Sequence, residues 1–165
     1  MRARASPTRL PSCKRYWFDG PRSGQTETVI ANLPGYPDNI NRASDGNYWL
    51  ALVGMRTPSF DLALRMPSFR KRMAKRLPAD EWMYPNINVG CVVKMNEKGE
   101  ILEALWDRAG TNHPMITSMR EHKGQLFIGG LSNNRIGRIR LQNADLGYVQ
   151  YDTYWKDTPF WRAAA

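Results

Sequence analysis

Short apolar runs separated by glycine turns dominate the chain. Three segments share one pattern, a charged residue, a glycine, a polar residue and an apolar run, and they centre on Gly46, Gly99 and Gly124. Each follows another apolar run, and glycine takes the positive φ that a tight hairpin turn requires. Repeated hairpins predict an antiparallel all-β array, with an unrelated β-sandwich as the alternative. Strands are predicted at residues 13–18, 27–31, 40–43, 48–52, 89–95, 101–105, 116–119 and 126–131.

A helical insertion at residues 56–85 interrupts the strands. Residues 60–77 contain helix-forming residues, and Pro67 should divide them into two short helices because proline has no N–H to donate. The second helix is predicted over residues 68–77, with Ser68 as its N-cap. Its helical spacing brings three apolar residues to one face and leaves a basic opposite face. The apolar face consists of Phe69, Met73 and Leu77.

Composition narrows the class of protein. The 165 residues are 42% hydrophobic and 11% aromatic, which suffices for one ordinary core. No apolar run approaches the ~18 residues that a membrane-spanning helix needs, and the N-terminus lacks a secretory signal. Cys13 and Cys91 lack metal-ligand spacing and are predicted to be buried free thiols, in keeping with a reducing compartment. We therefore expect a soluble, cytoplasmic protein.

The net charge of +9 is concentrated in two segments, residues 1–15 and 56–76. The rest of the chain contains slightly more acidic than basic residues. Because the excess of positive charge is confined to these two segments, the sequence predicts no nucleic-acid partner. The basic face of residues 68–77 is either solvated or a peripheral contact with anionic lipid.

The densest local signal lies at residues 33–40, where two prolines and a glycine predict a turn that leads into a strand. Asp38 and Asn39 are adjacent at the mouth of that strand. Their side chains offer two hard oxygen ligands of the kind that calcium prefers. The alternative is an Asx turn that closes the loop without a metal.

Four motifs resemble the strictosidine synthase-like family, which is related to gluconolactonases and paraoxonases. They occupy residues 14–21, 33–40, 46–51 and 121–129. The resemblance covers residues 13–141 and implies a six-bladed β-propeller with a divalent metal, usually calcium, in its central channel. It also implies that Asp38 and Asn39 are ligands of that metal.

The chain departs from the family in two respects. Blades of ~40–50 residues require a longer chain to close a six-bladed ring, so we expect about three blades, matching the C-terminal half of the family. The chain is then a fragment, a truncated product or a half-ring that associates with another copy. The glutamate that serves amine–aldehyde condensation in true strictosidine synthases is replaced by Thr117, which cannot act as that acid–base group.

The resemblance implies metal-dependent hydrolysis of a small lactone or aryl ester once the missing blades are present. The metal would polarise the carbonyl, and His113 is a candidate proton-transfer group, with a structural role as the alternative. The competing function is a non-catalytic β-module used for binding or self-association.

The predicted organisation has three parts. It comprises a basic segment at 1–12, the propeller segment at 13–141 and an aromatic tail at 142–165. In a propeller, the basic helix of the insertion could form a cap over the channel mouth.

Overall fold

A computed structural model of the chain describes residues 11–78, 81 and 88–141, and strands dominate this part. The strands form three antiparallel sheets, with orders β1-β2, β3-β4-β5-β6 and β7-β8-β9. The predicted all-β class with a helical insertion is confirmed. The elements are β1 Cys13–Tyr16, β2 Thr26–Ile30, β3 Gly35–Arg42, β4 Tyr48–Met55, α1 Pro58–Arg65, α2 Pro67–Arg76, β5 Gly90–Met95, β6 Ile101–Asp107, β7 Ile116–His122, β8 Gln125–Gly130 and β9 Gly137–Arg140.

The three predicted glycine turns are all present. Gly46 joins β3 to β4, Gly99 joins β5 to β6, and Gly124 joins β7 to β8. Their φ angles are 86°, 85° and 69°, a region that favours glycine because it has no Cβ. Local chain chemistry therefore determines where these hairpins turn.

The second sheet, β3-β4-β5-β6, has an apolar core on each face. Trp49 and Ala51 of β4 join residues of β7 and β8 in one buried cluster. Leu50 and Leu52, which alternate with them, belong to a second cluster that contacts Cys13 of β1. Because both faces are covered, β4 is apolar at successive positions instead of alternating with polar residues.

The turn at residues 33–40 leads into a strand as predicted, but β3 starts at Gly35, five residues before the predicted start at Ile40, and continues to Arg42. Asp38 and Asn39 consequently lie inside a strand, and no Asx turn closes a loop at this point. Pairing with β4 across most of this length satisfies the backbone and outweighs the local turn chemistry. The sequence patterns also missed β9, which pairs with β8.

The insertion contains two helices separated at Pro67, as predicted. Helix α1 begins after Thr57, whose side-chain oxygen accepts a hydrogen bond from the Phe60 N–H at 3.3 Å. The predicted N-cap at Ser68 is wrong. Helix α2 begins one residue earlier, at Pro67, where a missing N–H has no consequence, and Met66 is its N-cap.

Both cysteines are free thiols, as predicted. Cys91 is fully buried and burial raises its pKa to about 12, whereas Cys13 is half-buried. Residues 1–10 and the predicted aromatic tail lie outside the described residues. Among the helices of the described part, none is long and apolar enough to cross a membrane.

Candidate functional site

Asp38 and Asn39 lie at a β-bulge in β3. The pairing with β4 shifts between Pro37 and Ile40, so the two residues together stand opposite the single residue Ala51. A bulge of this kind disrupts the alternation of side chains and is common beside active sites. Adjacent side chains are therefore not forced onto opposite faces of the sheet here, and both are exposed.

The side chains of β3 connect this strand to β7, the first strand of the third sheet. Asn39 donates a hydrogen bond from Nδ2 to the carbonyl oxygen of Thr117 at 2.6 Å. Two residues later, Asn41 donates from Nδ2 to the carbonyl oxygen of Met119 at 2.7 Å. Because its amide nitrogen is engaged in this way, Asn39 retains its side-chain oxygen Oδ1 for a ligand.

The residues that the structure describes fit part of a calcium shell. The Asp38 carboxylate is exposed and makes no hydrogen bond or ion pair with any other described residue. Both of its oxygens are therefore available to a metal ion. Calcium takes six to eight oxygen ligands, and Asp38 with Asn39 supplies a minority of them. Across residues 11–78, 81 and 88–141, no group of three or more His, Cys, Asp or Glu side chains is placed to hold a metal.

Thr117, at the position where the resemblance implied an acid–base glutamate in true synthases, is the second residue of β7. Its carbonyl oxygen accepts the hydrogen bond from Asn39, which places this position beside the Asp38–Asn39 bulge. A threonine hydroxyl does not titrate near neutral pH and cannot replace a carboxylate in proton transfer. The structure thus has a threonine, Thr117, at the position where condensation chemistry requires a carboxylate.

His113 lies in the loop between β6 and β7 and is fully buried, in contrast to Asp38. Burial lowers the pKa of His113, and the nearby charge of Arg135 lowers it further. Its backbone N–H donates to Oδ2 of the buried Asp107 at 2.8 Å, and the N–H of Asn112 donates to the same oxygen. The imidazole is therefore neutral at pH 7, and its role in proton transfer stays a prediction.

Sequence reasoning missed Asn41 and Asp107. Asn39 and Asn41 are two positions apart, the spacing of side chains on one face of a strand, which is a detectable signal once β3 is recognised as a strand. Asp107 ends β6 with its carboxylate buried at 0% exposure. No residue type or spacing around it marks this aspartate as the acceptor that organises the following loop.

A second polar cluster joins the start of β3 to helix α1. Arg56 contacts Asp61 at 2.5 Å, and this hydrogen-bonded pair holds the pKa of Asp61 below its usual value. Burial and the Asp61 carboxylate raise the pKa of Tyr36 to about 12. The pair borders a surface groove of about 440 Å³ that extends to Arg65. These contacts fix α1 to the sheet.

Comparison with known proteins identifies relatives of this chain. No family model matches. The chain is 35% identical over 127 residues to Protein STRICTOSIDINE SYNTHASE-LIKE 10 of Arabidopsis thaliana. The aligned residues cover 73% of this chain and 33% of that protein. It is 36% identical over 132 residues to Protein STRICTOSIDINE SYNTHASE-LIKE 1 of the same plant, covering 76% of this chain and 32% of the relative.

An animal protein is similar over a longer stretch. The adipocyte plasma membrane-associated protein of Gallus gallus is 30% identical over 140 residues, which cover 82% of this chain and 34% of that protein. The chain thus spans about a third of the length of the curated relatives it matches. These similarities confirm the resemblance that the four motifs indicated: the chain is a homologue of the strictosidine synthase-like proteins and of the adipocyte plasma membrane-associated protein.

Proposed function

We propose that this chain forms about three blades of a six-bladed β-propeller that, when complete, hydrolyses lactones or aryl esters with the help of a divalent metal. The Asp38–Asn39 bulge beside β7 is the observation that carries this proposal. It joins two exposed oxygen-bearing side chains to the neighbouring sheet in a chain related to the strictosidine synthase-like proteins. Calcium is the metal that this all-oxygen donor set favours.

The arrangement of the sheets supports a propeller. Sheet β3-β4-β5-β6 has four antiparallel strands in sequence order, as a propeller blade does, and its core continues into sheet β7-β8-β9. The strands β3 and β7 each begin their sheet and contact each other through Asn39 and Asn41. First strands that meet in this way would line a central channel. The remaining blades would come from the two thirds of the family's length that this chain does not span.

The proposed chemistry assigns each residue a limited role. Asp38 would contribute negative charge to the metal, and Asn39 would contribute Oδ1, held in place by its bond to Thr117. A bound calcium ion would polarise the substrate carbonyl and stabilise the oxyanion that forms on it. His113 would move a proton only if substrate binding or the remaining blades bring a reacting group to its buried ring.

Calorimetry with calcium tests the site on the chain as it stands. We expect an affinity no better than roughly millimolar, because two residues supply too few ligands for tight binding. Asp38→Asn should abolish the binding heat, since the neutral amide lacks the carboxylate charge. Asp19→Asn, which changes an exposed aspartate in the turn between β1 and β2, should leave it unchanged. Tight calcium binding that survives Asp38→Asn would contradict the assignment.

A binding or assembly module is the second candidate. Two large apolar side chains flank the turn between β8 and β9, and Leu131 and Ile136 are 71% and 72% exposed. Apolar groups so placed would be covered in a contact with another subunit. Size-exclusion chromatography with light scattering should detect an oligomer that Leu131→Ser with Ile136→Ser converts to a monomer. A monomer at all concentrations before substitution counts against this function.

A further inference from the structure

The helical insertion presents an exposed surface that the proposed metal chemistry does not use. We call α1 and α2 together the basic hairpin. Helix α1 is fixed to the sheet through the Arg56–Asp61 pair and through Ala63, its one buried residue. Helix α2 contains no fully buried residue, and its most covered side chains, Phe69 and Met73, are half-buried.

The charge of the basic hairpin is strongly one-sided. Helix α2 contains five cations and no acid over residues 67–76, and α1 ends in a sixth cation, Arg65. The single acid of the two helices, Asp61, is engaged by Arg56. Within the part of the chain that the structure describes, none of the six cations forms an ion pair. They are Arg65, Arg70, Lys71, Arg72, Lys75 and Arg76.

Apolar side chains are interleaved with these cations. Leu64, Met66 and Leu77 are 40%, 45% and 44% exposed. Leu77 also borders a surface hollow of about 450 Å³ that lies along α2. The hollow is lined by apolar and cationic residues, namely Phe69, Arg72, Met73, Arg76 and Leu77. The basic hairpin therefore combines positive charge and apolar surface in one place.

We propose that the basic hairpin docks on a membrane surface rich in anionic lipid. Such a surface provides negative headgroups for the cations and, just beneath them, an apolar layer for leucine and methionine side chains. A nucleic acid would satisfy the cations but would offer no apolar layer to the exposed side chains. A protein interface is enriched in arginine and methionine, but its core is depleted in charged residues, so five cations interleaved with apolar side chains fit a charged lipid surface better.

The docking surface is separate from the Asp38–Asn39 bulge in sequence and in chemistry. The basic hairpin connects the end of β4 to the start of β5, whereas the bulge belongs to β3. Because no residue is shared, failure of the unsubstituted chain to bind calcium would leave this inference intact. Failure to bind lipid would likewise leave the proposed metal site untouched.

Flotation of the full chain with phosphatidylcholine vesicles, with and without 30% phosphatidylserine, tests the proposal. Binding should require phosphatidylserine and weaken as salt is raised. Each cation near an anionic surface contributes about fivefold to binding, so Arg70→Gln with Lys71→Gln and Arg72→Gln should weaken it about a hundredfold. Leu64→Gln with Leu77→Gln should weaken the binding that remains at high salt.

A matched control separates docking from net charge. Lys98→Gln with Arg108→Gln and Lys123→Gln removes three exposed cations outside the hairpin and should retain most of the vesicle binding. Circular dichroism and thermal melting verify that each variant is folded. Equal loss in both triple variants would overturn the proposal, as would equal binding to vesicles without phosphatidylserine. Binding to a single-stranded oligonucleotide with no binding to vesicles would also overturn it, in favour of a nucleic-acid partner.

Discussion

The hydrogen bond between Trp49 and Glu121 joins the second sheet to the third, and its removal should destabilise the whole fold. Trp49 is fully buried in β4, and its Nε1 donates to Oε2 of Glu121 in β7 at 2.7 Å. The other carboxylate oxygen, Oε1, accepts from the hydroxyl of Ser44. The hydrogen bond from Trp49 thus links the apolar core between the second and third sheets to the carboxylate of Glu121 at the edge of that core.

The magnitude follows from the type of bond. A hydrogen bond to a charged group contributes about 1.5–3 kcal/mol, and a buried donor left without an acceptor costs about 1–3 kcal/mol. We expect Glu121→Leu to lower the free energy of unfolding by about 2 kcal/mol. For a chain of this size, that loss corresponds to a decrease of about 4–8 °C in Tm.

Urea denaturation followed by far-UV circular dichroism measures this free energy without relying on tryptophan fluorescence. Glu103→Leu is the matched control: Glu103 is a half-buried glutamate in β6 that makes no side-chain hydrogen bond within the described residues. Its replacement should change the free energy of unfolding by less than about 0.5 kcal/mol. Trp49→Phe removes the donor, so Glu121→Leu should cost at least about 1 kcal/mol less in that background. Strictly additive effects of the two substitutions would refute the reasoning.

Three further substitutions have defined outcomes in thermal or urea unfolding. Gly90→Ala should lower stability by about 1–3 kcal/mol, because the added Cβ would collide with the backbone oxygen of His113; an unchanged Tm contradicts this. His113→Gln should flatten the pH dependence of stability between pH 7 and 5. Burial lowers the pKa of His113 below its usual 6.5. As the pH is lowered, the unfolded chain therefore takes up a proton at this histidine before the folded chain does, and the free energy of unfolding decreases. Asp61→Asn should destabilise more at pH 7 than at pH 2, because the bond to Arg56 lowers the Asp61 pKa: its contribution declines once the pH falls below the usual 3.8 and is lost as the pH falls through the lowered folded-state pKa. An effect of Asp61→Asn that is equal at both pH values would exclude that mechanism.

Features that depend on near neighbours in the chain were predictable from the sequence. Gly46, Gly99 and Gly124 turn their hairpins because a tight turn requires positive φ, and this requirement is local. Pro67 separates two helices because its ring and missing N–H are incompatible with a helix interior. The free thiol of Cys91 followed from an apolar run without metal-ligand spacing.

Tertiary contacts decided the form of the candidate site. Residues 33–40 carry turn-forming residues, yet pairing with β4 makes most of them a strand and concentrates the irregularity in one bulge at Asp38 and Asn39. The bonds from Asn39 and Asn41 to β7 span 78 positions in the chain, so no local pattern could indicate them. His113 was a candidate proton-transfer group with a structural role as the alternative, and only the packing of the loop around Asp107 shows that it is buried. Local propensity is worth tenths of a kcal/mol per residue, whereas burial and satisfied backbone groups contribute whole kcal/mol, so long-range packing prevails wherever the two disagree.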